Sequence, residues 1–126
     1  MLLMAKHKIL LVEDDRAIRE LYLLKLRLDG FDVYSAVDGV EGLRMAREVM
    51  PYLILLDILM PRMNGADMLQ KLRETDWGAD MRVIMLTNLS KDEAPSILKF
   101  LNVDRYVVKA HYTPRQVVDI VREVLG

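Results

Sequence analysis

Cysteine is absent from this sequence of 126 residues. Its absence excludes a disulfide framework, thiolate chemistry and zinc or iron–sulfur sites that depend on cysteine. A basic excess is also lacking, since 18 Lys and Arg residues stand against 19 Asp and Glu residues. Nucleic-acid binding by this chain alone is therefore disfavoured, because such binding depends on many positive charges that displace counterions from phosphates.

Long apolar runs are equally scarce. The longest stretches without Asp, Glu, Lys or Arg have eight residues, at 49–56 and 83–90, whereas a membrane-spanning helix needs about 20. We therefore expect no membrane span. Residues 1–7 lack an apolar core of signal-peptide length, and we interpret them as a short N-terminal leader. Together with the lack of cysteine, these features agree with a cytoplasmic location.

The residues that are present suffice for one folded domain. Apolar residues make up 52% of the chain and charged residues 29%, a balance that supports a buried core. Short apolar runs alternate with segments of helical periodicity, at Ile9–Val12, Val33–Ala36, Leu53–Leu56, Val83–Leu86 and Tyr106–Val108. This alternation predicts an α/β fold, a single doubly wound (βα)₅ domain over residues 8–126, with helices on both faces of a five-stranded parallel sheet.

Helical spacing and capping residues mark the segments between these runs. Apolar residues at helical spacing, Ile18, Leu21, Leu24 and Leu28, predict the buried stripe of the first helix. Later helix starts are predicted by pairs typical of N-caps, Asp38 with Glu41, Asn64 with Asp67, Ser90 with Glu93 and Thr113 with Gln116. Pro95 conflicts with a start at Ser90, because proline inside a helix removes a hydrogen bond, so the fourth helix is expected to begin nearer Asp92.

Polar side chains follow four of the five predicted strands. The first polar residues after these strands are Glu13, Asp14 and Asp15, then Asp57, Thr87 and Lys109. Because ligands of an open parallel sheet bind beyond the carboxyl ends of its strands, we expect these side chains to converge at one edge. Converging carboxylates repel one another and raise each other's proton affinity unless a cation joins them. The pattern therefore predicts a cation site.

The composition of this edge indicates which cation and ligand it suits. Oxygen ligands without histidine or cysteine favour a hard cation, and a few carboxylates with open positions suit Mg²⁺, with Mn²⁺ as a substitute. Lys109 and Thr87 would then offer a charge and a hydroxyl to a phosphoryl group. Two alternatives stay open: a Mg²⁺-dependent phosphohydrolase acting on a small substrate, or Asp57 as a nucleophile that becomes an acyl phosphate. Asp57-Ile58-Leu59 lacks the second acidic residue of aspartyl-nucleophile phosphatases.

Four segments carry a resemblance to a known family. They are Ile9-Leu10-Leu11-Val12-Glu13-Asp14-Asp15, Asp57-Ile58-Leu59-Met60-Pro61-Arg62-Met63-Asn64-Gly65, Met85-Leu86-Thr87 and Tyr106-Val107-Val108-Lys109. In this order and with these separations, they resemble the receiver domains of bacterial two-component response regulators, the chemotaxis regulator among them. The resemblance covers about residues 7–126 and implies a flavodoxin-like sheet with strand order 2-1-3-4-5.

The resemblance also implies a role for each site residue. Asp57 would accept a phosphoryl group from a phosphohistidine on a sensor histidine kinase or phosphotransfer protein. Mg²⁺ would bind Asp14, Asp57 and the backbone carbonyl of Leu59, with Glu13 assisting through a water molecule. Asp15 would lie outside the metal shell, as an N-cap. The chain would thus be a phosphoacceptor switch, with only self-phosphorylation and self-dephosphorylation as activities.

In the same resemblance, phosphorylation changes an output surface. Thr87 would move toward the phosphoryl group, which Lys109 also stabilises, and Tyr106 would turn inward. The surface of the fourth helix, fifth strand and fifth helix would then change and control an unknown downstream protein. Phosphorylation-dependent homodimerisation stays open, as does the alternative that this receiver is a fragment of a longer DNA-binding or enzymatic regulator.

Two departures from the family pattern bear on the site. Ala110 follows Lys109 where the family usually has a proline in a cis peptide, so the lysine loop is either strained or rebuilt in trans. We expect Lys109 to reach the site in either case. Asn88 follows Thr87 where the family more often has a small residue, and Leu59 and Leu89 add apolar bulk nearby. These three residues are expected to slow self-dephosphorylation.

Overall fold

The computed structural model describes residues 7–126, so the predicted leader lies outside the described residues except for the exposed His7. The strands are β1 Lys8–Val12, β2 Asp32–Ala36, β3 Leu53–Leu56, β4 Arg82–Thr87 and β5 Arg105–Val108. They pair in parallel, in the order β2-β1-β3-β4-β5. The predicted α/β class and strand order are confirmed. Among residues 7–126, no helix is long and apolar enough to cross a bilayer.

Four α-helices in the described part of the chain cover the sheet: α1 Arg16–Leu28, α2 Gly39–Val49, α3 Gly65–Arg73 and α4 Pro114–Leu125. Successive side chains of a strand point to opposite faces, so the central strands feed two cores. Ile9 and Leu11 of β1 pack in the core with α1 and α4, whereas Leu10 and Val12 pack in the core with α2 and α3. Burial on both faces explains why β3 is apolar at every position.

The predicted N-caps are confirmed at the starts of the α-helices. Asp38 and Asn64 accept hydrogen bonds from backbone amides three residues ahead, at the starts of α2 and α3. Thr113 and Gln116 form a capping box at the start of α4. Asp15 caps α1 by accepting a hydrogen bond from the Ile18 amide at 3.0 Å. Side-chain caps satisfy amides that have no partner inside the helix, which fixes where each helix begins.

The prediction of a fourth α-helix starting near Ser90 or Asp92 is wrong. Ser90 and Glu93 do exchange hydrogen bonds as a helix start would, but the segment continues only as a short 3₁₀ helix at Ser96–Phe100. Pro95 is the reason, because it lacks an amide hydrogen and its ring collides with the carbonyl of the preceding turn. The chain is extended at Pro95, with ψ of 130°, and winding resumes only after it.

The apolar stripe predicted as the buried face of α1 is wrong for three of its four residues. Ile18 packs against the core, but Leu21, Leu24 and Leu28 are 42%, 55% and 73% exposed. The residues that face the core are Tyr22 and Leu26, four positions apart. Helical periodicity alone could not choose between the two stripes, because α1 is apolar on both sides. An exposed leucine stripe on α1 is therefore a feature of the surface.

Candidate functional site

Three carboxylates meet at the carboxyl end of the sheet. Glu13 and Asp14 follow β1, and Asp57 follows β3, which pairs directly with β1. One oxygen from each lies within 4.8 Å of the others. Glu13 and Asp57 are buried, with 2% and 7% exposed, whereas Asp14 is exposed. Asp14 is therefore the carboxylate of the cluster that is most accessible to solvent.

The sheet and one glycine hold Asp57 in this position. Its amide continues the ladder and donates to the Val12 carbonyl at 3.1 Å, while its Oδ1 accepts from the Ile58 amide at 2.7 Å. The chain then folds back so closely that a Cβ on Gly65 would lie 1.9 Å from the Asp57 carbonyl oxygen. Only glycine fits this approach. The loop after β3 thus folds back tightly against the backbone of Asp57.

Lys109 reaches the cluster from β5. Its Nζ donates hydrogen bonds to Asp57 Oδ2 at 3.0 Å and to Glu13 Oε1. The described peptide bonds, including that between Lys109 and Ala110, are trans, and a short 3₁₀ helix spans Lys109–His111. The loop is therefore rebuilt in trans, which answers the question that Ala110 raised. Burial lowers the pKa of Lys109, but its bonds to Glu13 and Asp57 outweigh burial and raise the pKa above its ordinary value.

The cluster keeps an excess of negative charge, because one ammonium group faces three carboxylates. Burial raises the pKa of Glu13, and Lys109 opposes this shift without cancelling it. A hard divalent cation fits such a donor set, which is all oxygen and has one exposed carboxylate through which an ion can enter. Glu13, Asp14 and Asp57 are the side chains that could hold it.

Thr87 and Tyr106 approach the same segment from two strands. Thr87 ends β4 and is buried, and its Oγ1 accepts a long hydrogen bond of 3.4 Å from the Leu89 amide. The Tyr106 hydroxyl donates to the Leu89 carbonyl at 2.8 Å. Burial raises the pKa of the half-buried Tyr106. Leu89 thus links the two side chains through its own backbone.

The remaining predicted residues lie around this centre. Asp15 caps α1 and is not among the three clustered carboxylates. Leu59, two residues after Asp57, has a side chain that is 62% exposed, and Asn88 is also exposed. Leu89 is half-buried. The side chains proposed to affect dephosphorylation therefore differ in their access to water.

Two residues that contribute to this edge were missed by sequence reasoning. Arg19 donates to the backbone carbonyls of Glu13 and Asp14, at 3.0 and 3.2 Å, and so holds the segment 13–15 in place. Because Arg19 lies one turn into the helix that Asp15 caps, its sequence position could have predicted this contact. Arg62 pairs with Asp38 across 24 residues, a contact for which the sequence offers no periodic signal.

Replacing Glu13 by Gln is expected to raise the thermal midpoint of the metal-free protein at neutral pH. Burial makes the folded state hold the Glu13 proton more tightly than the unfolded state does. The carboxylate therefore lowers stability progressively as pH rises above its ordinary pKa, and the variant escapes this loss. Melting curves in EDTA at mildly acidic and neutral pH measure the difference, which should grow with pH. A lower midpoint for the variant at neutral pH would contradict the expectation.

Comparison with known proteins gives a consistent result. The sequence model of the "Response regulator receiver domain" matches residues 9–122. The chain is 37% identical over 123 residues to "Probable transcriptional regulator ycf27" of Porphyridium aerugineum, covering 97% of this chain and 49% of that protein. It is 40% identical over 84 residues to "DNA-binding dual master transcriptional regulator RpaA" of a Synechocystis strain, covering 67% and 35%. The chain thus spans about half or less of the length of these relatives.

Solved structures agree at the level of the whole fold. The chemotaxis protein CheY4 of Vibrio cholerae superposes with a TM-score of 0.87 at 27% identity, covering 95% of this chain and 99% of that one. A CheY-like response regulator receiver domain protein of Methanospirillum hungatei gives a TM-score of 0.85 at 30% identity, with 96% and 94% covered.

Proposed function

The chain belongs to the response regulator receiver family, and from this premise we propose that Asp57 is its phosphoacceptor in a Mg²⁺-dependent switch. The observation that carries the proposal is the Asp57 carboxylate, buried beside Lys109 Nζ at 3.0 Å and clustered with two further carboxylates. A nucleophile, a positive charge and a set of oxygen ligands are what phosphoryl transfer requires of a protein. A cytoplasmic location is part of this proposal.

In the proposed reaction, a carboxylate oxygen of Asp57 forms the new O–P bond while the P–N bond of a phosphohistidine breaks. The electron pair of that bond returns to the imidazole of the donor. Asp14, Asp57, the Leu59 carbonyl and, through water, Glu13 would hold Mg²⁺. A bound ion would supply charge neutralisation for the transferring oxygens. Lys109 would add a second positive charge, since its hydrogen bonds to Glu13 and Asp57 favour the protonated amine.

The proposed switch runs through the segment that joins Thr87 to Tyr106. A new phosphoryl group carries three acceptor oxygens, so it would attract the Thr87 hydroxyl, whose present bond to Leu89 is long at 3.4 Å. Movement there would disturb the Leu89 carbonyl that receives the Tyr106 hydroxyl. The surface to change is that of the 3₁₀ helix Ser96–Phe100, β5 and α4, on which Phe100 is 77% exposed. A downstream protein or a second copy of the chain would bind it.

Asn88, Leu59 and Leu89 belong to the proposal as residues that affect the lifetime of the acyl phosphate. Asn88 and Leu59 are exposed beside the ends of β4 and β3, which places them where water approaches the acidic edge. We propose slow self-dephosphorylation for this chain.

The phosphodonor is proposed to be a helical domain of a histidine kinase or phosphotransfer protein that contacts α1. Any donor must bring its phosphohistidine to Asp57, so it must also cover the surface beside the acidic edge. The exposed leucine stripe of α1 starts one to two turns after the Asp15 cap. Leu21, Leu24 and Leu28 have the three- and four-residue spacing that packs against another helix.

Replacing Leu24 by Glu is expected to slow phosphotransfer from such a protein roughly tenfold, because a charge would be buried at the centre of the contact. Phosphorylation by acetyl phosphate should be unchanged, since a small donor does not touch α1. The measurement is transfer of label from phosphorylated donor domain. Tyr52→Glu serves as control, because Tyr52 is 56% exposed but precedes β3, at the opposite end of the sheet. Equal slowing of both variants would argue against α1.

The proposed function is tested with acetyl phosphate as donor. Intact-mass measurement should show one added phosphoryl group in Mg²⁺ and none in EDTA, and hydroxylamine should remove it, as expected for an acyl phosphate. Absence of the mass gain in Mg²⁺ would overturn the proposal. Continuous hydrolysis of acetyl phosphate without labelling would instead support the phosphohydrolase alternative.

The lengths of the relatives favour a second form of the same function. The relatives described as transcriptional regulators are at least about twice as long as the part that this chain matches. We propose, as the alternative, that this receiver acts within a longer DNA-binding regulator, where its output surface would act on the attached domain.

A further inference from the structure

The loop between β3 and α3 is tied to the start of α2 by two contacts. Arg62 Nε donates to Asp38 Oδ2 at 2.6 Å, and the Gly39 amide donates to the Met63 carbonyl at 2.9 Å. The Asp38 side chain is only 4% exposed and cannot turn toward water. Its other oxygen already accepts from the Glu41 amide at 2.8 Å, which fixes its orientation. Arg62 therefore meets a carboxylate whose position is set by α2.

The backbone at this point is held in an unfavourable conformation. Arg62 has a φ of +64°, in the left-handed region that residues with a Cβ rarely adopt. A Cβ on Gly39 would lie 2.4 Å from the Met63 carbonyl oxygen, so the loop and α2 are in direct backbone contact. Strained backbone persists only where the surroundings determine it. The ion pair and the Gly39 contact are the observed constraints on this side of the loop.

This loop carries the proposed metal ligands that follow β3, Asp57 and the Leu59 carbonyl. It begins at Asp57 and ends at Gly65, which lies directly against the Asp57 backbone carbonyl. Gly65 thus fixes one end, and the contacts to α2 fix the middle. Groups that orient metal ligands without touching the ion commonly change metal affinity by about 10–100-fold when they are removed.

We propose that Arg62 is a positioning residue, whose ion pair with Asp38 holds the β3–α3 loop in the conformation that binds the divalent cation. The inference rests on the proposed function, because it takes Asp57 and the Leu59 carbonyl as ligands. Arg62 is itself 64% exposed, and the buried Asp38 carboxylate keeps its hydrogen bond from the Glu41 amide when Arg62 is removed. Loss of the pair should therefore weaken Mg²⁺ binding without unfolding the protein.

The test compares Mg²⁺ affinity by calorimetry in wild type, Arg62→Met, Arg62→Lys and Arg44→Met. Arg44 lies on α2 and is exposed like Arg62, and it pairs only locally with the exposed Glu48, so its variant has the same charge change without a contact to the loop. We expect about tenfold weaker binding for Arg62→Met, recovery of most of the affinity in Arg62→Lys, and wild-type affinity for Arg44→Met. Saturating Mg²⁺ should restore the phosphorylation rate of Arg62→Met.

Further readouts separate positioning from a purely structural role. Hydrogen exchange of the Gly39 amide should accelerate in Arg62→Met, because that amide bonds to the same loop, while the thermal midpoint in EDTA stays close to wild type. Wild-type Mg²⁺ affinity in Arg62→Met would overturn this inference alone. Failure of the wild-type protein to bind Mg²⁺ would instead overturn the proposed function on which it rests.

Discussion

Replacing Asp57 by Asn is expected to abolish phosphoryl uptake while leaving the chain folded. An amide has no anionic oxygen to attack phosphorus, so the covalent step is lost completely. The amide oxygen can still accept from the Ile58 amide, a bond that Asp57 Oδ1 makes at 2.7 Å. Removing one of three clustered carboxylates also reduces their mutual repulsion. Intact mass after acetyl phosphate and Mg²⁺ measures the first effect, and thermal melting the second.

Asp15→Asn is the matched control for this variant. It removes the same charge from the same end of the sheet, but Asp15 only caps α1, and asparagine caps helices equally well. The control should gain the phosphoryl mass like wild type. An equal gain in Asp57→Asn would show that the acceptor is another residue.

Replacing Lys109 by Met should slow phosphorylation by acetyl phosphate about 10²-fold, because a positive group beside the transferring oxygens is lost. The same change leaves Glu13 and Asp57 buried without their cationic partner. Breaking a buried ion pair in this way typically costs about 3–5 kcal/mol. Mg²⁺ should recover much of this loss, since the ion supplies the missing charge. The effects on rate and on metal-dependent stability are thus separable.

The measurements for Lys109→Met are the single-turnover phosphorylation rate and melting curves with and without Mg²⁺. Lys91→Met is the control, because Lys91 is exposed on the loop after β4 and has no side-chain contact with the acidic cluster among the described ion pairs. A wild-type rate in Lys109→Met would contradict the role proposed for the amine.

The sheet and the centre of the site follow from local rules. Leu53–Leu56 is apolar at every position, and such a short run predicts a strand that is covered on both faces. Parallel strands then bring their carboxyl ends to one edge, which is why Glu13 and Asp57 were predicted as neighbours. Lys109 follows from the same rule, since β5 lies two strands from β3.

The features that were not predicted depend on which of several local possibilities the tertiary structure stabilises. On α1, two apolar stripes compete for the core, and Tyr22 and Leu26 are the residues that pack against the sheet. Between β4 and β5, a helix start at Ser90 competes with Pro95, and the proline prevails. The Arg62 and Asp38 pair joins two loops that only the completed fold brings together. None of these outcomes can be read from spacing in the sequence.

Glu13 and the Lys109 amine that pairs with it are far apart in the sequence, so they are synthesised at different times. Lys109 lies 96 residues after Glu13 and 52 after Asp57, on the last strand of the sheet. During synthesis, the Glu13 and Asp57 carboxylates therefore leave the ribosome well before the lysine that pairs with them. Until β5 has emerged and docked, the acidic residues have no lysine partner from this edge. Under the proposed function, a chain whose β5 has not yet docked lacks the amine beside Asp57 and is expected to be a poor phosphoacceptor.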